Sequence, residues 1–503
     1  MAVFNNVLAG AAGQGGAAFS IERSLRFNND DSAYLTRDPD TQGTRTTWTW
    51  SAWVKFSSGD RKVLFAGVTN ESNRFFILEH NNDYLDIYDY SLGVYNSRLT
   101  TSGRFRDYSA WYHIVFTYDT TNSTADDRHR LYVNGEQIED FSTRTNPAAN
   151  HSSHVLSLHP HYLSGYTSTG TLAHDGYMAE VYLIDGQSLQ ASDFGEYDDN
   201  NVWQPKEYEG TYGTHGWHLD FSDATNTTTI AEDSSGNGND WTANNISVTA
   251  GSGNDSLFDS PSNGTQSDTG AGGEVSGNYC TFNAATPSAN ATSNGALDFV
   301  PGSGWESVFG TMLIPSSGKW YFELTAGGAN SMAGIVEASS DLAADNFPGI
   351  VSVSYTYNFG SGKKIEGPNN TQTAYGASGA AADVMGVALD MDGGTLTFYK
   401  NGTSQGTAFS GLTGSYIPVV AAYQGSGTAV ANFGQRPFAY SAPSGYKCLC
   451  SANLPDPTIA DGSTGMDVAL YSGNSSTQTI SGLNFSPDLV WIKNRAAADS
   501  HKL

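Results

Sequence analysis

Asn-Gly and Asp-Gly pairs between short alternating runs constrain this chain more than any other feature of its sequence. Residues 386–409 read GVALDMDGGTLTFYKNGTSQGTAF, where apolar and polar residues alternate on both sides of the pairs. A period of two puts one set of side chains on a core face and the other toward solvent. Asp392-Gly393 and Asn401-Gly402 accept the positive φ angles of tight hairpin turns. The stretch therefore predicts an antiparallel meander.

A second region of the chain has the same pattern. Residues 128–141 read RHRLYVNGEQIEDF, with Asn134-Gly135 at the predicted turn. The preceding run AWYHIVFTYD, residues 110–119, is apolar on both faces, which is typical of a central strand between two covered faces. Two separated regions are therefore predicted to be antiparallel sandwiches, and the predicted fold class is all-β with tandem antiparallel β-sandwiches.

Length and composition agree with that fold class. A chain of 503 residues is too long for one core and favours about three domains. Its 56 glycines and 12% aromatic residues suit short strands joined by many turns. Long runs with the 3.6-residue period of an amphipathic helix are missing, and the best helical candidate is a turn or two at residues 188–197.

The charge of the chain argues against one class of partner. Asp plus Glu number 51 against 24 for Lys plus Arg, so the formal net charge is -27. Such a field repels a phosphate backbone, and we expect no nucleic-acid partner. Solubility explains this charge, and the binding of divalent cations by some carboxylates is the alternative.

Cysteine usage and hydropathy bear on the location of the chain. Three cysteines in 503 residues do not make a disulfide framework. The first 20 residues lack the basic start and unbroken apolar block of a secretory signal. No stretch approaches the roughly 18 apolar residues of a membrane span. We therefore expect a soluble chain without an export signal or a membrane span.

Composition divides the chain into five parts. Residues 1–20 are small and rich in Gly and Ala, and residues 21–205 are dominated by alternating strand patterns. A polar connector of linker composition occupies 206–277. Strand patterns resume over 278–450. The remainder, 451–503, contains a linker and the start of a further module that we expect to continue beyond this sequence.

A sugar-binding face is predicted on one strand of the first region. In EHNNDYLDIYDY the side chains of Asp86, Tyr88 and Tyr90 share one strand face, a surface suited to stacking on a sugar and hydrogen-bonding to it. An ordinary exposed strand is the alternative. Cleavage of a glycosidic bond needs two carboxylates placed across that bond. The pattern Glu-x-Asp-x-x-Glu, which commonly supplies them on one strand face, is absent here, because Asn81 stands two residues after Glu79.

A cluster of histidines stands out in HSSHVLSLHPHY. It contains His151, His154, His159 and His161. The last two can point the same way from an extended segment and share a metal ion. No neighbouring carboxylate or cysteine completes a site locally, so a solvent-exposed loop is the favoured interpretation.

The stretch EDSSGNGND suggests the only cofactor. It places Asp233, Asn237, Asn239 and Asp240 in a Gly-rich loop, and oxygen ligands on a flexible loop suit calcium. The alternative is that these side chains cap turns through their own backbone. The loop lacks the ligand order of an EF-hand.

Motifs of common enzymes are missing from the sequence. GAAGQGG is not a phosphate loop, because no Lys-Ser/Thr follows it. No nucleophile elbow of the Gly-x-Ser-x-Gly type lies between a strand and a helix. We therefore predict that the protein is not an enzyme.

Two regions resemble known families. WTWSAWVKF, AWYHIVFTYD, RLYVNGEQI and DGYMAEVYLIDGQSLQASDFGE resemble, in order and spacing, the laminin-G-like, concanavalin-A-like family. GKWYFEL, VMGVALDMDGGTLTFYKNG, YIPVVAAY and ANFGQRPFAYSAPSGY resemble the SPRY family. These resemblances imply a concanavalin-A-like jelly roll followed by a SPRY-like sandwich.

The combination of modules resembles virion structural proteins of marine tailed bacteriophages. The two modules, the EDSSGNGNDW connector, SPDLVWIKNR and the start VFNNVLAGAAGQ carry this resemblance. It implies a tail-fibre-like or capsid-surface appendage in the virion, assembled in the host cytoplasm, in many copies or as a homo-oligomer. Its implied partners are other tail, baseplate or capsid proteins and a host-surface glycan. A glycan-cleaving enzyme and a peptide-binding SPRY protein are the alternative functions.

The N-terminal segment is predicted to anchor the chain. Phe4, Val7, Leu8 and Phe19 are among the large apolar residues of the first 20, set among Ala, Gly and Asn. Such a segment cannot bury enough surface to fold alone. We expect these four side chains to dock on a virion partner or on sister copies, as the resemblance implies.

Overall fold

Antiparallel strands form the framework of the protein. In the computed structural model the described residues form β-strands and short 3₁₀ helices, and none of them lies in an α-helix. This confirms the all-β prediction. The described residues are 19–70, 74–264, 268–285, 292–302, 304–340, 347–350, 352–456, 459, 461–494, 497 and 499–503.

The strands of the N-terminal half follow one another with short connections. In chain order they are β1 (Ser24–Phe27), β2 (Tyr34–Arg37), β3 (Thr47–Phe56), β4 (Lys62–Asn70), β5 (Arg74–Asn81), β6 (Tyr84–Ser91), β7 (Val94–Thr101), β8 (Trp111–Asp119), β9 (His129–Val133), β10 (Glu136–Ile138), β11 (Phe141–Thr145), β12 (His161–Leu163), β13 (Gly176–Asp185), β14 (Gly195–Tyr197), β15 (Trp203–Pro205), β16 (Trp217–Leu219), β17 (Thr242–Asn244) and β18 (Ser256–Leu257).

The strands of the C-terminal half are β19 (Thr292–Ser293), β20 (Asp298–Phe299), β21 (Trp305–Phe309), β22 (Lys319–Thr325), β23 (Ser331–Glu337), β24 (Ser354–Asn358), β25 (Lys363–Glu366), β26 (Thr371–Ala374), β27 (Val384–Asp390), β28 (Thr395–Lys400), β29 (Thr403–Ser410), β30 (Tyr416–Tyr423) and β31 (Ala429–Asn432). The 3₁₀ helices are Ala125–Asp127, Ala191–Asp193, Thr229–Ala231, Ser451–Asn453 and Gly462–Thr464. The helix Ala191–Asp193 lies within residues 188–197, the best helical candidate of the sequence.

The N-terminal half is a sandwich of two antiparallel sheets. Sheet I has the order β10-β9-β8-β3-β13-β1-β18, with β16 also paired to β13. Sheet II has the order β11-β7-β6-β5-β4-β12-β2-β17. Along β3, Trp48, Trp50 and Val54 belong to the core between the sheets, whereas Trp53 packs on the outer side of sheet I. The alternation of apolar residues therefore decides which face of each strand is buried between the sheets.

The C-terminal half is a second sandwich. Sheet III has the order β19-β20-β31-β22-β27-β28-β29, and sheet IV has the order β21-β30-β23-β24-β25-β26. The predicted meander is β27, β28 and β29. Its inward side chains, among them Leu389, Leu396 and Phe398, are completely or almost completely buried in one core.

Two of the predicted hairpin turns have the backbone geometry that their sequences require. Asn134 and Gly135 have φ angles of 50° and 85°, and Asn401 and Gly402 have φ angles of 47° and 74°. Both pairs therefore form turns with two left-handed residues. In the turn between β27 and β28 the left-handed residue is Gly394, with φ of 60°, so the predicted turn position there is one residue too early.

Residues 206–277, interpreted from composition as a polar connector, contribute strands to the first sandwich. β16 pairs with β13 and β18 pairs with β1 in sheet I, while β17 pairs with β2 in sheet II. The side chains of Asp259 and Ser260 are fully buried. Linker composition misses this, because the large apolar residues of the segment are widely spaced among polar ones, yet Trp217, Phe221 and Trp241 are buried in the core of the first sandwich.

The two sandwiches meet at the outer face of sheet I. Trp53, Trp111 and Tyr177 from that face belong to the same buried cluster as the core of the second sandwich. At its centre Lys55 Nζ donates to Asp259 Oδ2 at 2.8 Å, and both side chains are 0% exposed. The same ammonium donates to Asn278 Oδ1 at 2.7 Å and to a backbone carbonyl at 2.9 Å.

The C-terminal stretch differs from both sandwiches. Its described residues between 461 and 503 are almost all exposed, and one isolated bridge pairs Ile492 with Lys502. In the described part of the chain no helix has the length and apolar character needed to cross a membrane.

We predict that Asp259→Asn destabilises the protein by about 3–5 kcal/mol, because it leaves the buried ammonium of Lys55 without its charge partner. Urea denaturation followed by tryptophan fluorescence measures the change. As a control, Arg130→Met breaks the partly exposed pair with Asp127, 27% and 41% exposed, and is expected to cost under about 1 kcal/mol. Equal losses from the two variants would contradict the central role of the buried pair.

We predict that Gly135→Ala lowers the melting temperature more than Gly411→Ala does. Both glycines have positive φ, 85° and 76°, so an added Cβ costs about 1–2 kcal/mol at either position. At Gly135 the Cβ would also lie 2.5 Å from the ring of Trp203, whereas at Gly411 nothing lies within 4 Å. Calorimetry measures the difference, and equal melting temperatures would show that the Trp203 ring moves aside freely.

Candidate functional site

A buried carboxylate interrupts the central strand of sheet I. The pairing of β13 with β3 shifts register between Ala179 and Tyr182, and Glu180 within that bulge has φ of 49°. A non-glycine residue in the left-handed region costs of order 1–3 kcal/mol and persists only where its surroundings hold it. The Glu180 side chain is 6% exposed. The bulge thus places a strained, almost buried carboxylate among apolar strand residues.

Two neighbours share one oxygen of this carboxylate. The Tyr182 hydroxyl donates to Glu180 Oε2, and His218 Nε2 lies 2.7 Å from the same atom. The rings of Tyr182 and His218 are stacked, with centroids 4.1 Å apart and planes at 10°. The other oxygen, Oε1, has no hydrogen-bond partner among the described residues. One carboxylate oxygen therefore remains available to a ligand.

The electrostatics of this group favour a charged pair. Burial by itself would lower the pKa of His218, but the charge of Glu180 and the hydrogen bond to it outweigh burial and raise that pKa above its ordinary value. Burial, with Glu180 adding to it, raises the pKa of Tyr182 well above its usual range, so the phenol stays protonated. The site therefore combines a carboxylate, an imidazole that protonates readily and a hydroxyl.

These side chains line a recess of about 400 Å³ beside sheet I. Two further tyrosines form its walls, and their ring centroids are 5.3 Å apart with planes at 78°. Half-buried Asp220 lies at the rim, where its carboxylate accepts bonds from the backbone N–H and the hydroxyl of Ser222. The polar and aromatic lining of the recess includes Glu180, Tyr182, Tyr208, Tyr212, His218 and Asp220, together with the charged residues Glu22, Arg23 and Glu207.

The residues predicted to bind calcium support this recess. Asp233 Oδ1 accepts the backbone N–H of His218 at 2.9 Å. Asn237 and Asn239 donate from their side-chain amides to Gly216 O, which fixes the loop that carries the Tyr212 wall. The oxygens of Asp233 also accept from backbone N–H groups of its own loop.

The carboxylates of this loop are engaged in hydrogen bonds to backbone and hydroxyl groups. Each Asp233 oxygen already accepts hydrogen bonds, and Asp240 Oδ1 accepts the backbone N–H of Asp233 at 2.9 Å. In the described ranges no group of three or more His, Cys, Asp or Glu side chains is arranged to hold a metal. The geometry is that of a capped turn, which is the alternative interpretation of this stretch.

The predicted sugar-binding face on β6 is largely closed. Asp86 is 3% exposed and forms an ion pair with Arg98 at 2.6 Å. Tyr88 is 5% exposed, and its hydroxyl accepts from Arg61 Nη2 at 2.9 Å. Tyr90 is half-buried and stacks on an aromatic ring of β5 with centroids 5.2 Å apart. The three side chains lie close together, but Arg98 already pairs with the carboxylate of Asp86, and Arg61 already donates to the hydroxyl of Tyr88.

The adjacent carboxylate, Glu79, is also enclosed. It is 1% exposed, and both of its oxygens accept from Arg61 Nε. Burial raises its pKa to about 7, although the charge of Arg61 acts in the opposite direction.

The four histidines of the sequence cluster are separated. His161 lies on β12 with 3% exposure, and its Nε2 accepts the backbone N–H of Leu156 at 2.9 Å. His159 is exposed, but His154 and His161 are buried, so the favoured interpretation of this stretch as a solvent-exposed loop is wrong. His151 and His154 both contact the carboxylate of Asp89.

The predicted anchoring residues fall mostly outside the described part of the chain. Phe4, Val7 and Leu8 lie outside the described residues. Phe19 is partly buried against the core and lines the edge of the recess. The segment that precedes the first sandwich therefore enters the described structure beside the candidate site.

Sequence reasoning did not single out Glu180, Tyr182 or His218. One signal was present, because Glu180 is the only charged residue of GYMAEVYL, an apolar run in which every residue is buried. A charge in such a run needs a partner. His218 is 38 positions further along the chain, so the sequence offered no way to pair them.

Family models match three separate regions of the chain. Residues 27–193 match the family model described as the Concanavalin A-like lectin/glucanases superfamily, and residues 319–436 match the SPRY domain. Residues 461–503 match a domain of unknown function.

Relatives cover single modules. Ran-binding protein 10 of Danio rerio is 31% identical over 137 residues, which are 27% of this chain and 22% of that protein. The chain spans no more than a quarter of the curated relatives that it matches. The solved structure of the SPRY domain of human HERC1 is similar to part of the chain, with 19% identity and a TM-score of 0.24 over 27% of this chain and 87% of that one. A putative carbohydrate binding protein from Bacteroides ovatus is similar with 16% identity and a TM-score of 0.33 over 45% of this chain and 59% of that one.

The fold and the family matches define a class, namely a multi-module β-sandwich protein. Within that class the chain carries a laminin-G/concanavalin-A-like, lectin-like sandwich followed in tandem by a SPRY sandwich.

We predict that Glu79→Gln flattens the pH dependence of stability between about pH 4.5 and 8. The folded-state pKa of Glu79, about 7, lies above the unfolded value of about 4.3, so the native state binds more protons in this window. The stability contributed by this group is complete below about pH 4.3 and is lost as pH rises through 7, by about 1–3 kcal/mol. Urea midpoints across this range measure the slope. The exposed Glu139→Gln serves as control, and parallel pH profiles for wild type and Glu79→Gln would refute the prediction.

Proposed function

We propose that the first sandwich binds a saccharide in the recess around Glu180 and His218. The observation that carries this proposal is the almost buried Glu180, whose Oε1 has no partner among the described residues, beside walls of tyrosine. A carboxylate oxygen accepts hydrogen bonds from sugar hydroxyls, and a tyrosine face packs against the apolar C–H face of a sugar ring. The recess, about 400 Å³, has room for a sugar unit.

The proposed activity is binding without cleavage. Hydrolysis of a glycosidic bond needs an acid and a second carboxylate across the bond. Glu180 Oε2 is held by His218 and the Tyr182 hydroxyl, and Asp220 accepts two hydrogen bonds from Ser222. We propose also that calcium is not required, because the oxygens of Asp233 are committed to its own loop and to His218.

We predict that Glu180→Gln lowers saccharide binding about 10- to 100-fold, because a hydrogen bond to a charged group contributes about 1.5–3 kcal/mol. The measurement uses the full chain, displayed multivalently on beads so that weak sites gain avidity, against a glycan array. Tyr212→Ala should weaken the same signals. Tyr95→Ala, which removes an exposed tyrosine of sheet II, is the matched control and should leave them unchanged.

Two further measurements distinguish calcium-independent saccharide binding from calcium-dependent binding and from cleavage of the saccharide. Adding a chelator should leave the array signals unchanged, and incubation with the bound oligosaccharides should release no new reducing ends. If the wild-type chain bound no glycan, or if Glu180→Gln bound as well as wild type with an unchanged melting temperature, the recess would not be the binding site.

We propose that this binding serves a virion appendage, a tail fibre or capsid-surface protein that meets a host-surface glycan and contacts other virion proteins. The support is the resemblance of the module order, of VFNNVLAGAAGQ and of SPDLVWIKNR to phage virion proteins. In this proposal the SPRY module provides a further contact surface in the virion. The alternative is that the SPRY module binds a peptide partner.

We predict that deleting residues 1–18 prevents incorporation of the chain into particles while its melting profile stays unchanged, because those residues precede the buried contacts that begin near Ile21. Mass spectrometry of purified particles measures copy number, and electron cryo-microscopy locates the chain. Normal copy number for the truncated chain would place the anchor elsewhere. Absence of the intact chain from particles would overturn the assignment to a virion.

A further inference from the structure

A second pocket, of about 430 Å³, lies at one end of sheet II, between the β6–β7 hairpin and residues 151–159. In a chain with 51 acidic and 24 basic residues, none of the described residues that line this pocket is Asp or Glu. Apart from Gln42, its polar lining is basic or hydroxylic, and includes Arg45, Ser91, His151, His154, Ser157 and His159. The lining is thus opposite in character to the surface of the protein as a whole.

A buried carboxylate holds two of the histidines in place. Asp89 is 0% exposed, and its oxygens lie 3.3 Å from His151 Nε2 and 3.1 Å from His154 Nδ1. It also accepts the backbone N–H of His154 at 3.0 Å. Burial alone would raise the pKa of Asp89, but the hydrogen bonds from the two histidines outweigh it and hold that pKa well below its usual range. The carboxylate therefore stays ionised behind the rings and fixes their orientation.

Two groups at the pocket have unused hydrogen-bonding capacity. The Ser157 side chain is buried, with the residue 3% exposed, and its hydroxyl has no partner. Buried hydroxyls in native proteins are almost always bonded, so an orphan that lines a pocket points to a ligand. Arg45 donates through Nε and Nη2 to backbone carbonyls of Ser153 and Ser152, which anchors the guanidinium and leaves Nη1 without a bond to another described residue.

We infer that this pocket binds the carboxylate of an acidic saccharide, such as a uronic acid. The fixed guanidinium of Arg45 supplies donors for the carboxylate, the exposed imidazole of His159 adds an N–H donor, and the hydroxyl of Ser157 bonds to the carboxylate or to a neighbouring sugar hydroxyl. The exposed side chains of Leu92 and Leu158, at 61% and 54%, flank the opening and can pack on the ring. Repulsion by the acidic surface is screened beyond about 8 Å at physiological salt, so the local donors decide affinity.

This inference rests on the proposed saccharide binding by the first sandwich, but it concerns a different pocket and a different chemical group. The two pockets share no lining residue. Variants at one should therefore leave binding at the other unchanged, which keeps failure of this inference distinguishable from failure of the proposed function.

Calorimetric titration of the full chain tests the inference with three probes: an oligogalacturonate, the neutral galactose oligosaccharide of equal length and inorganic sulfate. We expect the oligogalacturonate to bind at least tenfold more tightly than the neutral oligosaccharide, and to bind more weakly as NaCl is raised. Competition by sulfate would show that any oxyanion satisfies the pocket, and failure of sulfate to compete would show that the sugar ring is also recognised. Either result supports a site for a carboxylate-bearing sugar.

Variants assign the binding to this pocket. Arg45→Met should weaken oligogalacturonate binding at least tenfold, Arg45→Lys should retain most of it, and Ser157→Ala should weaken it several-fold. Arg104→Met, at a half-exposed arginine that pairs with Asp83, is the matched control and should change nothing. Melting temperatures show that each variant is folded. No oligogalacturonate binding by wild type, unchanged binding by Arg45→Met, or loss of binding only in Glu180→Gln would overturn the inference.

Discussion

The buried ion pair between Lys55 and Asp259 connects the three segments on which the rest of the structure depends. Lys55 lies on the outer face of sheet I, Asp259 lies in the polar stretch between the modules, and the ammonium also donates to Asn278 at the start of the second sandwich. Removing two charges from water is costly, and only close pairing with further hydrogen bonds offsets it. The pair therefore depends on all three segments lying where they do in the folded protein.

In this arrangement two parts of the outer face of sheet I pack against different segments of the chain. One part packs against the second sandwich through Trp53, Trp111 and Tyr177. The other part, around Tyr182, is covered by the chain between 189 and 212, whose aromatic residues form a smaller buried cluster. The recess around Glu180 lies at the edge of this second cover, where β16 joins β13. The face of a lectin-like sheet is thus used for module contact and, in our proposal, for ligand binding.

Local signals made the fold predictable, whereas the site depended on distant contacts. The hairpins at Asn134 and Asn401 follow from turn chemistry that involves neighbouring residues only. Asp86 has the sequence context of a ligand contact, yet Arg98 from the next strand pairs with it and buries it. Asp233 was singled out as a metal ligand, and it lies at the recess as a support that holds the backbone of His218.

The sequence by itself determined the all-β class, the two sandwiches and most hairpin positions, because a period of two and a requirement for positive φ act within a few residues. Only the tertiary structure decided which carboxylates are closed by arginines and which one, Glu180, keeps an oxygen free in a recess. It also decided that basic residues gather around Asp89 in an acidic chain. The physical reason is that the burial and pairing of a charge depend on residues that the fold brings from far along the chain.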